Sequence, residues 1–292
     1  MSRLRAGALI VTILSGWLAG GLAAAGDSTD TSIDLQGLLA RVADRVVAFY
    51  DRAQSIVCNE NIVYDTLDTA SVHSRRVVFE LRMSWEKADD GDVPEGKALR
   101  TLKTVNGKPP RDDKDEIRCL DPKPVAVDTL SFLLPHNQRE LTFTYKGIGK
   151  VGDGRTAVVI EYAPISKDKP KYSWHDSCFG IEAPTRTRGR VYVDRFSGDV
   201  LRVDETVSGP LDVQVPREEQ RRSGNSREYI TLDRWDFSIL YKSIAFANPD
   251  EIVLLPDHIE YYSTIRGQPR QRITHRFTDY QRFVTSGRVL QP

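Results

Sequence analysis

The sequence predicts a mainly β, α+β fold: one curved antiparallel sheet, a half-barrel of about nine to eleven strands, with an N-terminal amphipathic helix and a short second helix on its concave face. Three observations predict it. One segment, residues 34–53, repeats apolar side chains at three- and four-residue steps. Most later segments alternate apolar and polar residues with the period of two that lines one side of a strand. Turn pairs containing glycine stand between those segments.

The helix comes first. Leu35, Leu38, Leu39, Val42, Val46, Phe49, Tyr50 and Ala53 line one face, and Ser32 or Asp34 can cap the start. A helix of this length is marginal alone in water, so its apolar stripe must dock on something. Each large apolar side chain buried there stabilises by roughly 1.5–3 kcal/mol. The clearest strand is residues 76–86, where Val77, Phe79, Leu81, Met83 and Trp85 alternate with Val78, Glu80, Arg82, Ser84 and Glu86. That one-sided pattern belongs to antiparallel sheet covered on one face.

Further strands are expected at 56–67, 98–105, 140–146, 156–162, 188–194, 199–207, 234–245, 258–265 and 272–283. Asn106-Gly107, Asp153-Gly154, Ser197-Gly198 and Arg266-Gly267 mark hairpins. Residues 125–134 are expected to form a short apolar helix that Pro135 ends. Residues 165–185 and 209–228 read as irregular, mobile loops. Nothing divides residues 26–292, so a single domain is expected.

Residues 1–25 read as an address. Arg3 and Arg5 precede an apolar run, and Ala23-Ala24-Ala25 offers a small-residue cleavage site, the pattern of a secretory signal peptide cut near Ala25. The mature chain would then be exported, to the periplasm or beyond the cell. Export means oxidising conditions, in which two of Cys58, Cys119 and Cys178 can pair. Cys119 and Cys178 both stand in loop-like sequence and are the preferred bridge, with the other pairings left open. The 292 residues carry 41 basic and 41 acidic side chains, a balance that argues against general nucleic-acid binding. Forty per cent is hydrophobic, enough for a real core.

Chemical motifs are sparse. Gly147, Gly149 and Gly152 match the spacing of a dinucleotide fingerprint, but a β-type run follows where the fingerprint needs a helix, so they read as a hairpin turn. His175 and Cys178 lie close in sequence without the further ligands zinc requires. Asp89, Asp90 and Asp92, and Asp112, Asp113, Asp115 and Glu116, lack the ordered spacing of a calcium loop. No nucleophile elbow occurs. The expectation is therefore no catalytic residue, no metal and no cofactor.

What remains is apolar. Phe79, Leu81, Met83, Trp85, Phe143, Tyr145, Trp235, Phe237 and Ile239 occupy the inward positions of their strands. A helix is about 10–12 Å across, whereas ten strands roughly 4.8 Å apart span about 48 Å. Two helices cover about half that width, a shortfall that curvature shrinks. Any residual concavity is either a hydrophobic groove or is filled by residues 165–185 and 209–228.

A resemblance enters on particular residues. The hairpin Gly189-Arg-Val-Tyr192-Val-Asp194-Arg-Phe-Ser197-Gly198-Asp-Val-Leu-Arg202-Val-Asp204 resembles a recurring hairpin of the periplasmic lipoprotein-carrier (LolA-like) half-barrel superfamily. The stretches Val105-Asn-Gly-Lys-Pro-Pro-Arg111-Asp, Phe132-Leu-Leu-Pro135 and Leu254-Leu-Pro256 resemble segments of poorly characterised exported bacterial proteins. The resemblance implies a signal peptide, an amphipathic helix, a curved sheet around helices, and noncovalent capture of acyl chains or lipid-modified proteins. No binding residue carries over. The leading expectation is an exported, non-enzymatic protein that holds a lipid, acylated or other hydrophobic ligand in its concavity. The alternative is an envelope protein-interaction or sensor module with a filled core and an envelope protein as partner.

Overall fold

The computed structural model describes residues 33–53, 56–68, 71–86, 95–111, 129–152, 154–165, 171–175, 178–182, 187–207, 209–223, 227–247 and 249–282. The expected signal peptide, Cys119 and both acidic clusters lie outside the described residues.

Helix α1 (Leu35–Arg52) forms where the stripe predicts it. The Asp34 carboxylate accepts from the Gly37 N–H at 3.0 Å, satisfying one of the donors that a helix start leaves unpaired. Arg52 stands in the last turn, where a cation favours the helix dipole. The buried side chains are Leu38, Leu39, Val42, Ala43, Val46, Phe49 and Tyr50.

Thirteen strands follow among the described residues: β1 (Ile56–Leu67), β2 (Val72–Glu86), β3 (Glu95–Val105), β4 (Leu141–Val151), β5 (Arg155–Pro164), β6 (Lys171–His175), β7 (Cys178–Glu182), β8 (Thr187–Val193), β9 (Val200–Val207), β10 (Leu211–Gln214), β11 (Tyr229–Ala247), β12 (Asp250–Ile265) and β13 (Arg270–Arg282). Eleven form one open, curled antiparallel sheet in the order β3-β2-β1-β13-β12-β11-β9-β8-β5-β4, with β10 also paired to β11. The first meander thus joins the last strand: β1 pairs β13 from Ile56 opposite Arg282 to Leu67 opposite Arg270. β3 and β4 end the main path, and β10 is paired on one side only.

Register carries one apolar face across the sheet. Ile62 lies opposite Val77 and His275, His275 opposite Ile259, and Ile259 opposite Ile239. Ile239 then lies opposite Val203, Val203 opposite Val191, and Val191 opposite Ile160. All of these are buried. α1 docks on this face, with the Phe49 ring edge-on to Tyr241 at 6.4 Å. The β8–β9 turn clamps the helix from outside. Gly198 there has a φ of +78°, and a Cβ on it would stand 3.1 Å from the Arg41 backbone.

Four expectations change. Residues 129–134 do not form an α-helix: 3-10 turns at Ser131–Leu133 and Asn137–Glu140 flank Pro135, which holds Leu134 extended and stops propagation. This segment still covers the apolar face, since Phe132 stacks on Tyr162 with centroids 4.4 Å apart. Residues 165–185 contain the hairpin of β6 and β7, and residues 209–228 contain β10 and helix α2 (Arg217–Ser223). Both stretches lack the periodicity that betrays an element, because each element is short. Gly147 and Gly149 lie within β4 rather than in a turn, and Gly147 follows a bulge at Tyr145. β12 begins well before residue 258 and runs through Pro256, which stands opposite Tyr241 beside a bulge at Asp257, where the ladder is already interrupted and a residue without an N–H is tolerated.

Candidate functional site

A partly apolar cleft among the described residues lies between α1 and β9, β11 and β12, with Asp199 and Ser243 as its polar wall. Val46, Ala48 and Phe49 of α1 face Leu130, Val200, Val253 and Leu254 across about 230 Å³ of free volume. Arg45 and Arg52 stand at its rim. The Arg45 Nε donates to the Ser197 carbonyl at 2.9 Å and lies 3.6 Å from the Asp199 carboxylate, so the helix is tied to the β8–β9 turn beside the cleft. Gln138 donates to the Leu39 carbonyl at 3.2 Å and ties the helix from the other side. Ile252, 64% exposed, continues the apolar surface outwards.

The sequence-predicted groove residues whose side chains are described lie elsewhere. Phe79, Leu81, Met83, Phe237 and Ile239 are buried in the sheet's apolar face. Phe79 packs with Ile62 and Val77. Trp235, Phe237 and Tyr261 form a ring cluster, with the Phe237 and Tyr261 centroids 5.1 Å apart. Phe143 is half-buried, 6.4 Å from the Tyr162 ring. Tyr145, on edge strand β4, is 41% exposed. The Trp85 side chain lies outside what is described. None of the other eight lines the cleft under α1. Cys58 is a buried free thiol, pushed up to about 12 by burial and by the nearby Glu60 charge, so it is unreactive. Cys178 pairs with His175 in the β6–β7 register, and its side chain lies outside what is described.

The sequence reading missed a buried ionic cluster. Glu60, His275 and Arg100 are 1%, 7% and 11% exposed. Arg100 donates to both Glu60 oxygens at 2.7 and 2.8 Å, and His275 Nδ1 lies 2.7 Å from Glu60 Oε1. Burial alone would raise the Glu60 carboxyl, but the His275 hydrogen bond and the Arg100 charge outweigh it and hold it below its ordinary value. The signal was present as parity: Glu60 continues the inward series Ile56, Cys58, Ile62, and His275 stands between Ile273 and Phe277. A second carboxyl, Glu205, is pushed up by burial, and the Tyr162 hydroxyl that donates to it offsets this only in part.

Among the described residues no three His, Cys, Asp or Glu side chains are grouped to hold a metal, and no helix is long and apolar enough to cross a membrane. Fold and cleft together define an α+β half-barrel whose apolar face is covered by one long helix.

No family model and no curated protein matches the sequence. Solved structures similar to the chain include a domain assigned to an outer membrane lipoprotein-sorting protein of Vibrio parahaemolyticus, at 10% identity and a TM-score of 0.42, covering 85% of this chain and 92% of that one. A LolA superfamily protein from Nitrosomonas europaea is similar at 8% identity and a TM-score of 0.34, covering 88% and 97%. A DUF1329 family protein from Desulfovibrio piger is similar at 8% identity and a TM-score of 0.37, covering 86% and 93%.

Proposed function

We propose that this is an exported, non-enzymatic carrier that holds a lipid or other apolar ligand between α1 and the apolar face of its half-barrel. The observation that supports the reading is the unfilled, partly apolar cleft beneath α1. Its volume of about 230 Å³ is below the roughly 300–1,000 Å³ of ordinary ligand pockets. A ligand of lipid size therefore needs α1 to lift. The polar ties near the cleft are each of small worth, so the cost of lifting lies in the buried stripe Leu38, Leu39, Val42, Val46, Phe49 and Tyr50, whose contacts the ligand has to replace. Lifting would extend the cleft over the apolar face, and burying acyl surface there returns about 25 cal/mol per Å² before association costs. Arg45 and Arg52 would meet an acidic headgroup at the rim.

Mass spectrometry of solvent extracts from gently purified protein should show a stoichiometric amphiphile. Ala48→Trp, which fills the cleft, should weaken binding of a fluorescent fatty-acid probe by roughly tenfold, the loss expected when apolar contact area is denied. Unchanged probe binding by the folded variant would remove the cleft from the proposal. A ligand-free protein that retains a single envelope protein would favour the interaction module instead.

A further inference from the structure

A larger cavity than the cleft under α1, lined by charged side chains, is on the other face of the sheet. It holds about 600 Å³ across β5, β8, β9, β11 and β12. Register explains its shape. Glu161, Arg190, Asp204, Ser238 and Glu260 stand opposite one another in a single cross-strand row. Two residues along the strands, Arg188, Thr206, Asp236 and Tyr262 make a second row on the same face. The row between them, Gly189, Glu205 and Phe237, belongs by alternation to the apolar face and leaves a floor of backbone. The result is a trough about 7 Å between walls and roughly 19 Å long, since strands lie about 4.8 Å apart and residues about 3.4 Å.

The chemistry of the walls limits what can lie there. Arg188, Arg190, Arg202 and Arg234 interleave with Glu161, Asp204, Asp236 and Glu260, so a ligand of strong charge of either sign meets as many like charges as unlike. The pairs are already made: Arg202 to Asp204 at 2.7 Å, Arg234 to Asp236 at 2.5 Å, Lys146 to Glu161 at 2.8 Å. Arg202 lies over the Tyr192 ring and Arg234 over Tyr262, which holds both guanidiniums in place. β8, β9 and β11 are paired on both sides, so no strand edge opens into the trough and a peptide cannot add as a further strand. Recognition must come from side chains alone. Adjacent hydroxyls suit such walls, because each can donate to a carboxylate and accept from a guanidinium while leaving the ion pairs intact.

We propose that this trough binds a linear, uncharged oligosaccharide lying across the strands. The proposal is independent of the cleft under α1, which is on the opposite face. The test titrates the full chain with cellotetraose, chitotetraose and maltotetraose, followed by amide chemical shifts. At least one sugar should bind, with shifts confined to β8, β9, β11 and β12. Asp204→Ala and Arg190→Ala should each weaken it by roughly tenfold, the loss of one charge-assisted hydrogen bond. Ser238→Tyr, which narrows the trough without removing a charge, should do the same, and circular dichroism checks that each variant folds. Ala48→Trp should leave sugar binding unchanged. The proposal is overturned if none of the three sugars shifts a trough resonance, if binding survives all three trough substitutions, or if a mixed-charge extended peptide displaces the sugar at lower concentration.

Discussion

The two faces of the sheet use the same side-chain chemistry to different ends. On the apolar face, Arg100 meets Glu60 in a bidentate pair from which solvent is nearly excluded. On the opposite face, Arg202 meets Asp204 and Arg234 meets Asp236 two residues along one strand, in pairs open to water. Water screens the second kind, so breaking one costs little. The first kind has surrendered its hydration, and each partner depends on the other. Burial rather than the presence of an ion pair decides its importance.

Breaking the buried cluster gives the largest effect. Arg100→Met should destabilise the fold by about 3–5 kcal/mol, read in urea denaturation, because Glu60 loses its guanidinium while staying buried. Replacing all three partners together, with Glu60→Leu, Arg100→Met and His275→Leu, should recover most of that loss, since no unpaired charge remains. A triple variant no more stable than the single one would mean that Arg100 acts through packing, for instance over the Phe79 ring at 5.7 Å.

A pH series sharpens the same contrast with two carboxyls of opposite sign. Glu60 is held below its ordinary value of 4.5, so its contribution is present above that pH and is lost as pH falls through the lower folded value. Glu205 is pushed above 4.5, so the native state binds its proton more tightly and stability is lost as pH rises through the folded value. Glu205→Gln should therefore gain on the parent chain as pH rises from 4.5 towards neutrality, and the gain should vanish below 4.5. Gain confined to acid would show that the Glu205 anion stabilises the fold.

Smaller effects complete the series. Asp34→Ala removes the cap of the helix that covers the apolar face and should cost about 1 kcal/mol in thermal unfolding. Arg234→Ala, on the charged face, should change stability by no more than about 0.5 kcal/mol. A loss above that of Asp34→Ala would erase the distinction between the faces.

Much of the fold was legible because its signals are long. The helix stripe from Leu35 to Ala53 and the alternation of Val77, Phe79, Leu81 and Met83 each repeat often enough to name an element and its buried side. β10, β6, β7 and the 3-10 turns are too short for any period to register. The extension of β12 through Pro256 was hidden because proline ordinarily ends a strand, whereas here it stands beside the bulge at Asp257, where the ladder is already interrupted. For the site, sequence parity identified which residues face inwards and nothing more. Whether Phe79 or Val253 borders open space depends on where α1 lies across the sheet, a tertiary fact that alternation does not carry. The charged trough likewise depends on cross-strand register between residues far apart in sequence.

The sheet ends on β3 and β4, and each edge is 11 residues long. Lys103 projects from one and Lys146 and Lys150 from the other, and the bulge beside Gly147 breaks the line of β4. Such cations and kinks deny a second molecule the flat ribbon onto which it could zip. Stripped of them, the same rim would template stacking into fibrils. Protection against edge-to-edge pairing thus rests on a few lysines and one kink at the border of the sheet.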